Sequence, residues 1–149
     1  MPSTKDFLRR VAASIRPGGV FVAHEYFEYG TFRILPRSLE LEEFVRIVME
    51  SWRHDGGEPD IARQLPAWPR ELGFELRELR PIVDVVPTSN LIWNWPRSFV
   101  DVGLARFVEI GRLTAGRARA ISEAIRARDT DPNTLLVTPA VLEIIAVKK

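Results

Sequence analysis

The sequence predicts an α/β fold in a single domain that spans residues 1–149. Segments with helical spacing of apolar residues alternate with short extended apolar runs. The first helix, the turn at Pro17–Gly19 and the apolar run Val20–Ala23 follow directly on one another. A helix, a tight turn and a strand buried on both faces are typical of parallel α/β sheets. The composition agrees, since 46% hydrophobic and 28% charged residues are values of an ordinary folded domain.

About five helices are predicted from apolar stripes and from residues that can cap helix ends. Ser3 resembles a capping-box residue before the first helix, and the hydroxyl of Ser38 can cap the second. Pro66 and Pro69 must break or kink the third, less regular helix. The predicted spans are about residues 4–15, from Ser38 to Gly56, about 60–72, from Ser98 with Asp101 to about 112, and from Ala118 to about 128.

Three principal strands are predicted. The first is the uninterrupted apolar run, and the second is one long or broken strand with Pro81 at a bulge or an edge. In the last strand, Pro139 limits the pairing of the first residues. The ring-rich segment Ser89–Pro96 is predicted to be a loop. The strands are Val20–Ala23, Gly73–Val86 and Leu135–Val147.

Composition and charge exclude several classes of function. The 21 basic and 20 acidic residues leave a net charge of +1, which gives no argument for a nucleic-acid or membrane-surface partner. The absence of cysteine excludes disulfides, thiolate metal sites and cysteine nucleophiles. No apolar run approaches the roughly 18 residues that cross a bilayer, and no secretory pattern opens the chain. The expectation is a cytoplasmic protein without membrane or nucleic-acid partners.

The familiar metal and phosphate motifs are incomplete. His24-Glu25 begins like the zinc-protease pattern H-E-x-x-H, but Glu28 stands where the second histidine is needed. Neither G-x-G-x-x-G nor G-x-x-x-x-G-K-[ST] occurs, and no G-x-S-x-G elbow presents a serine nucleophile. We therefore expect neither a metal site nor a binding site of the usual kind for a nucleotide-like cofactor. We also do not expect an ordinary hydrolase.

Two clusters of polar and aromatic residues follow the first two predicted strands. In open α/β sheets ligands bind beyond the carboxyl ends of the strands, so parallel strands would bring both clusters to one concave surface. The alternative is that the rings pack in the core while the polar groups satisfy nearby backbone. The clusters are His24, Glu25 and Tyr26, and Trp93, Asn94 and Trp95.

Several stretches resemble class I S-adenosylmethionine-dependent methyltransferases. Phe7–Ala23 resembles their helix, R/K-P-G-G turn and fifth strand. Gly73–Glu75 resembles the entry to their sixth strand, and Leu142–Lys149 resembles their seventh, antiparallel strand. Gly56–Ile61 and Trp93–Pro96 resemble the substrate-side insertions of small-molecule methyltransferases. The resemblance implies a partial Rossmann-like, methyltransferase-type sheet of about three principal strands, the last antiparallel.

The resemblance also implies a function, and it identifies cofactor-binding elements of the family that this sequence lacks. The family moves a methyl group from S-adenosylmethionine to a small-molecule acceptor, with an occasional general base, for which His24 and Glu25 are the candidates. Tyr26 and the Trp93–Trp95 segment become substrate-binding candidates. The family's glycine-rich loop and ribose-binding acid have no counterpart in this sequence, so no cofactor-binding residue can be assigned. We expect the chain alone not to bind S-adenosylmethionine.

The chain therefore resembles the C-terminal, substrate-side half of a methyltransferase domain. Such a half exposes the edge of its first strand, which predicts either a missing N-terminal half as partner or a homo-oligomer, most simply a dimer. Two other interpretations remain open at this stage. The chain is a non-catalytic binding or oligomerisation module, or it is an inactive truncated fragment.

Overall fold

Helices and strands alternate along the chain, and the computed structural model describes residues 4–149. Ser3, the predicted cap, lies outside the described residues. The α/β class and the five α-helices are confirmed within the described part. In chain order the elements are α1 (Thr4–Ser14), β1 (Val20–Glu28), β2 (Arg33–Leu35), α2 (Leu39–His54), α3 (Ala67–Glu71), β3 (Phe74–Ile82), β4 (Val85–Pro87), α4 (Asn94–Glu109), α5 (Ala115–Arg126), β5 (Leu135–Val137) and β6 (Ala140–Lys148).

The chain divides into two compact units. Unit 1 contains α1, β1, α3, β3 and β6, which come from three separate stretches of sequence. Unit 2 is formed by Tyr29–Pro59 and Val83–Pro139 and contains β2, α2, β4, α4, α5 and β5. Each unit has its own three-stranded sheet.

Unit 1 is a sheet in the order β1-β6-β3, with α1 and α3 against one face. The last strand, β6, is central and runs antiparallel to both neighbours, so β1 and β3 run in the same direction without touching. Leu8 and Ala12 of α1 are buried against this face, where Ile144 and Ala146 of β6 are fully buried. The side chain of Lys148 connects β6 to the C-terminal end of α1. Its Nζ donates to the backbone carbonyls of Ala12 and Ile15 at 2.6 and 2.7 Å.

The turn between α1 and β1 requires both of its glycines. Gly18 has a φ of 76°, a left-handed conformation that side chains with a Cβ rarely adopt. A Cβ on Gly19 would lie 2.6 Å from Ile15 Cγ2 and 2.8 Å from the Arg16 carbonyl oxygen. The two glycines let the chain reverse at once from the helix into the edge strand, where Gly18 N donates to the Lys148 carbonyl at 2.8 Å.

Two features of the predicted sheet are wrong. All hydrogen-bonded neighbours are antiparallel, whereas the helix–turn–strand order predicted a parallel sheet, and the order and directions differ from those of a Rossmann sheet. The first strand is also not buried on both faces. Val20 and Val22 are 57% and 55% exposed because their side chains lie on the face opposite α1. The strand is longer than predicted and continues to Glu28.

Unit 2 packs α2 against α4 through one buried aromatic ring. Phe44 of α2 has no exposed surface, and the rings of Phe99 and Phe107 of α4 lie 5.9 Å from it between centroids. Gly103 of α4 allows this close approach, because a Cβ there would lie 2.8 Å from Phe44 Cζ. The small sheet of this unit has the order β2-β5-β4, with all pairs antiparallel. The predicted cap of α2 is confirmed, since Ser38 Oγ accepts from the Leu41 amide at 3.3 Å.

Helix α4 begins earlier than predicted. The segment Ser89–Pro96 is not a loop, because a 3-10 turn at Leu91–Trp93 leads directly into α4 at Asn94. Asn90 starts this turn by accepting a hydrogen bond from the Ile92 amide at 2.9 Å. Ser98 is therefore not a cap; its hydroxyl donates to the Trp95 carbonyl one turn back. Proline is tolerated in a first helical turn, where amides lack partners anyway.

Prolines and helix breaks divide the other elements as well. The predicted helix over 60–72 is reduced to a 3-10 turn at Ile61–Arg63 and the short α3. The predicted strand from Gly73 is broken after Ile82, and its two parts join different sheets as β3 and β4. The last predicted strand is broken at Pro139 in the same way, into β5 and β6. As predicted for Pro81, β3 is an edge strand, although its bulge lies between Leu76 and Glu78.

Candidate functional site

A row of three polar side chains crosses the outer face of the sheet of unit 1. His24 of β1, Glu143 of β6 and Arg80 of β3 are register partners, so the row joins all three strands. His24 Nε2 lies 2.5 Å from Glu143 Oε2, and Arg80 Nε donates to Glu143 Oε1 at 2.8 Å. Glu143 is 9% exposed, whereas the side chain of His24 is 52% exposed. In this row an exposed imidazole is hydrogen-bonded to a buried carboxylate.

The electrostatics of the row determine which nitrogen of His24 carries a proton. The hydrogen bond from His24, together with the hydrogen bond and charge of Arg80, holds the pKa of Glu143 below its usual range, so this carboxyl is ionised at neutral pH. An ionised carboxylate only accepts hydrogen bonds, so His24 Nε2 must be the donor. Nδ1 is then the remaining acceptor of the neutral ring. A carboxylate that fixes an imidazole in this way produces an oriented general base.

Glu25 and Tyr26 lie in different surroundings from His24. Glu25 follows the alternation of Phe21 and Ala23 and so lies on the α1 side of the strand, where it lines a cavity of about 500 Å³. Partial burial there raises the pKa of its carboxyl. Tyr26 is half-buried, and its pKa is raised by burial and, to a smaller extent, by the charge of Glu25. The strand thus points its two predicted bases to opposite faces.

The first predicted cluster lies inside a strand rather than beyond its end. His24, Glu25 and Tyr26 are the fifth to seventh residues of β1, which pairs with β6 along its whole length. The row Tyr26–Val141–Ile82 lies near the end of the sheet where β1 and β3 terminate, and one row, Glu25–Leu142–Pro81, separates it from the His24 row. His24 therefore lies near the carboxyl ends of β1 and β3, although not beyond them.

The second predicted cluster belongs to unit 2. Trp93 is 3% exposed, and its indole Nε1 donates to Asp129 Oδ1 at 3.1 Å, an oxygen that also accepts from Arg97 Nε at 3.1 Å. Trp93 is thus a core residue with its polar atom satisfied. Asn94 and Trp95 begin α4 on the surface, where the tryptophan is 49% exposed.

The sequence analysis missed Glu143 and Arg80. One signal could have found the carboxylate, because Glu143 is the only charged residue in the apolar run 140–147. An acid in a strand of this kind needs a polar partner on a neighbouring strand. No local pattern marks Arg80, since its pairing with Glu143 depends on strand order.

Metal and membrane features are absent from the described part of the chain. Residues 4–149 contain no group of three or more histidine, aspartate or glutamate side chains placed to hold a metal ion. None of the helices within those residues is both long and apolar enough to cross a bilayer. Comparison with known proteins gives no identification, because no family model matches the chain and no curated protein shows significant similarity to it.

Proposed function

We propose that this chain is the substrate-side half of an S-adenosylmethionine-dependent methyltransferase that acts on a small molecule, and that a separate cofactor-binding half completes it. The observation that carries this proposal is the direction of β6. The C-terminal strand runs antiparallel to β1 and β3, which is the direction the resemblance gives to the last strand of a partial Rossmann-like sheet. The P-G-G turn, with two required glycines between α1 and β1, supports the same assignment.

The ends of the strands support a site at one end of this sheet. Glu28 at the end of β1 pairs with Ala140 at the start of β6, and Ile82 at the end of β3 pairs with the neighbouring Val141. The carboxyl ends of the two strands that run together therefore meet at one end. In open α/β proteins this is the end where ligands bind. In the His24 row, Arg80 lies two residues before the end of β3 and His24 lies four residues before the end of β1.

Among the described residues, neither β1 nor β3 is followed by a glycine-rich turn into a helix. S-adenosylmethionine needs a glycine-rich turn from a strand into a helix, whereas β1 runs into a 3-10 turn at Tyr29–Thr31 and β3 runs into the connection to β4. The four glycines with positive φ lie instead at helix ends and turns, at positions 18, 56, 73 and 111. We therefore derive no step through the cofactor and assign roles only to the acceptor side.

On the acceptor side, His24 is the proposed base. Nδ1 accepts the proton from an oxygen or nitrogen nucleophile of the substrate, and the ionised Glu143 stabilises the imidazolium that forms. Glu143 and Arg80 act through His24 and are positioning residues. Tyr26, next along the same face of β1, is the proposed substrate contact beside this base. Buried Trp93 supports the start of α4.

The test combines this chain with a cofactor half. Titration calorimetry of the chain alone with S-adenosylmethionine should show no saturable binding at low micromolar concentration. A polypeptide encoded upstream, with a strand and a glycine-rich loop, should restore binding and labelled methyl transfer to small acceptors. His24→Gln should lower the methylation rate by about 10²–10⁴-fold, the usual contribution of a general base, without weakening cofactor binding. The surface control His54→Gln should change neither.

Two results would contradict the proposal. Low-micromolar binding of S-adenosylmethionine by the chain alone, about −8 kcal/mol, would place a cofactor seat among residues that carry no motif for one. A combined pair that binds the cofactor and still methylates no acceptor would remove the catalytic assignment. A second candidate, an oligomerisation module without catalysis, is favoured by the apolar groove beside β1.

A further inference from the structure

Among the residues that the structure describes, the outer edge of β1 has no strand partner over Val20–His24, whereas near its end Arg63 donates to the Phe27 carbonyl at 2.7 Å. The strand pairs with β6 on one side, and no other strand of the described chain pairs with its second side. The Lys148 amide donates to the Gly19 carbonyl at 2.9 Å, so residues at odd positions from 19 direct their backbone groups toward β6. The backbone amides and carbonyls of Val20, Val22 and His24 therefore point outward. An edge of this kind recruits another strand.

An apolar groove lies along this edge. The cavity of about 500 Å³ is bounded by β1 on one side and by the exposed stripe of α1 on the other. Phe7, on the helix side, is 56% exposed, and Val11 and Ile15 continue the stripe toward the turn. The groove therefore combines unpaired backbone with uncovered apolar side chains, which is the combination that an added strand and helix would cover.

Opposite charges without partners flank the groove. Glu25 lies in the groove wall toward the end of β1, and Arg16 lies in the turn that precedes the strand. Neither side chain has an ion pair or hydrogen bond with any residue of the described chain. The carboxylate and the guanidinium are nine residues apart, separated by the turn and the first residues of β1, and they form no ion pair within one copy of the described chain. If β1 of two copies ran in opposite directions, Glu25 of each copy would lie near Arg16 of the other.

We propose that the groove binds the same groove of a second copy of this chain, with β1 of each copy pairing antiparallel across a two-fold axis at Val22. In this register Val22 meets Val22 of the second copy, and Val20 meets His24. Glu25 lies opposite Gly19 of the second copy, beside its Arg16, and the symmetry makes this ion pair twice. The α1 helices lie on the same face of the joined sheet, where the two Phe7 stripes cover each other.

Charge complementarity favours a second copy over a foreign strand as the occupant. The acid Glu25 lines the groove toward the end of β1 and the base Arg16 lies in the turn before the strand, so a two-fold axis would pair both with no other molecule. This inference goes beyond the proposed function and does not depend on it. The proposed cofactor half would compete for the same edge, because a complete fold of that kind covers this strand on its second side.

The first experiment measures the oligomeric state of the full chain by sedimentation at micromolar concentration. We expect a dimer of 34.0 kDa, twice the 17.0 kDa of one copy. Val22→Lys should give a folded monomer, because a lysine at an exposed edge position blocks strand addition without touching the core. The matched control is Val102→Lys on α4, a valine that is 69% exposed outside the groove, and it should remain dimeric. A monomeric wild-type chain would overturn the proposal.

Charge reversal tests the register. Arg16→Glu and Glu25→Arg should each weaken the dimer about tenfold, because each places like charges together twice. The double variant should recover the wild-type dissociation constant. Arg10→Glu makes the same charge change at another exposed arginine, on α1 and not in the turn before β1, and should have no comparable effect. Equal weakening by Arg10→Glu, or no recovery in the double variant, would contradict the proposed ion pair.

A cross-link tests the two-fold axis directly, because the chain contains no cysteine. Opposed residues in a hydrogen-bonded antiparallel pair have Cα atoms about 5.5 Å apart, a distance within the range of disulfides. Val22→Cys should therefore form a disulfide-linked dimer under mild oxidation, whereas Val102→Cys should not. A wild-type dimer that Val22→Cys fails to cross-link would show that another surface joins the copies and would overturn this interface.

Discussion

The two units of this chain bury their cores around different kinds of element. Unit 1 is organised by a strand, β6, which takes both of its neighbours from distant parts of the sequence. Unit 2 is organised by a ring, Phe44, which lies among helices α2 and α4. Within the described chain, both three-stranded sheets leave two edges open, but only the edge strand β1 of unit 1 borders the apolar groove described above. The comparison assigns the proposed assembly surface, the edge of β1 and the groove beside it, to the unit whose core is organised by a strand.

The largest expected effect is the loss of the central ring of unit 2. Phe44→Ala removes a fully buried ring and the contacts of Phe99 and Phe107, which should cost about 3–5 kcal/mol of unfolding free energy. Hydrogen exchange read by mass spectrometry should show faster exchange in peptides from α2, α4 and α5. Peptides from β1 and β6 should keep their protection. An equal loss of protection in both sets would show that the two units unfold as one.

Loss of the central aliphatic side chain of unit 1 should give the opposite pattern. Ile144→Ala leaves a cavity in the middle of β6, at a residue with no exposed surface, and should cost about 2–5 kcal/mol. The exchange of β1, β3 and β6 peptides should accelerate while that of α2 and α4 stays unchanged. Val102→Ala, at an exposed helix position, is the control for a change of size alone. Protection lost first in α2 would contradict the division.

The smallest expected effect concerns pH and the two carboxyls of β1 and β6. Glu143 has a lowered pKa, so its contribution to stability is complete above the usual value of 4.5 and is lost as the pH falls through its folded value. Glu25 has a raised pKa, so its ionisation opposes folding, and acidification toward 4.5 relieves that cost. Denaturation by urea at several pH values should show that the unfolding free energy of Glu143→Gln falls less at acid pH than that of the wild-type chain.

Glu25→Gln is the matched variant of opposite sign. It should raise the stability near neutral pH and leave it unchanged below pH 4.5, where the carboxyl is already neutral. Both variants are best compared in the Val22→Lys background, so that dimer formation does not enter the measurement. If both variants shifted the profile in the same direction, the opposite environments assigned to the two faces of β1 and β6 would be incorrect.

The sequence predicted those elements that depend on neighbouring residues. The apolar stripe and the Ser38 cap of α2 are local, and both are confirmed. The sheet topology depends on pairing between distant residues, which periodicity does not contain. His24 and Glu143 are 119 residues apart, so the histidine was recognised and its partner was not. The antiparallel direction of neighbouring strands was missed for the same reason. Helix α1 and the turn after it predict a strand, but they do not predict which strand pairs with it or in which direction.

The tryptophan cluster shows a second limit of sequence reasoning. A ring-rich segment after a strand predicts a pocket lining or a core with equal force, since both bury apolar surface. The structure assigns Trp93 to the core through Asp129, a residue 36 positions later in a turn that carries no motif. Trp95, two residues further along the same segment, remains on the surface. Only the direction of the first turn of α4 distinguishes the two rings.

The central place of β6 has a consequence for synthesis. Between the end of β1 at Glu28 and the start of its pairing strand at Ala140, a ribosome must add 112 residues (140 − 28). At the usual rate of translation this takes about 6 to 22 s. During that interval the segments of β1 and then β3 are made without their shared neighbour, and every helix of unit 2 is synthesised before β6. The nascent chain is therefore exposed to premature pairing at β1 for seconds, long enough for a chaperone or a neighbouring nascent chain to bind first.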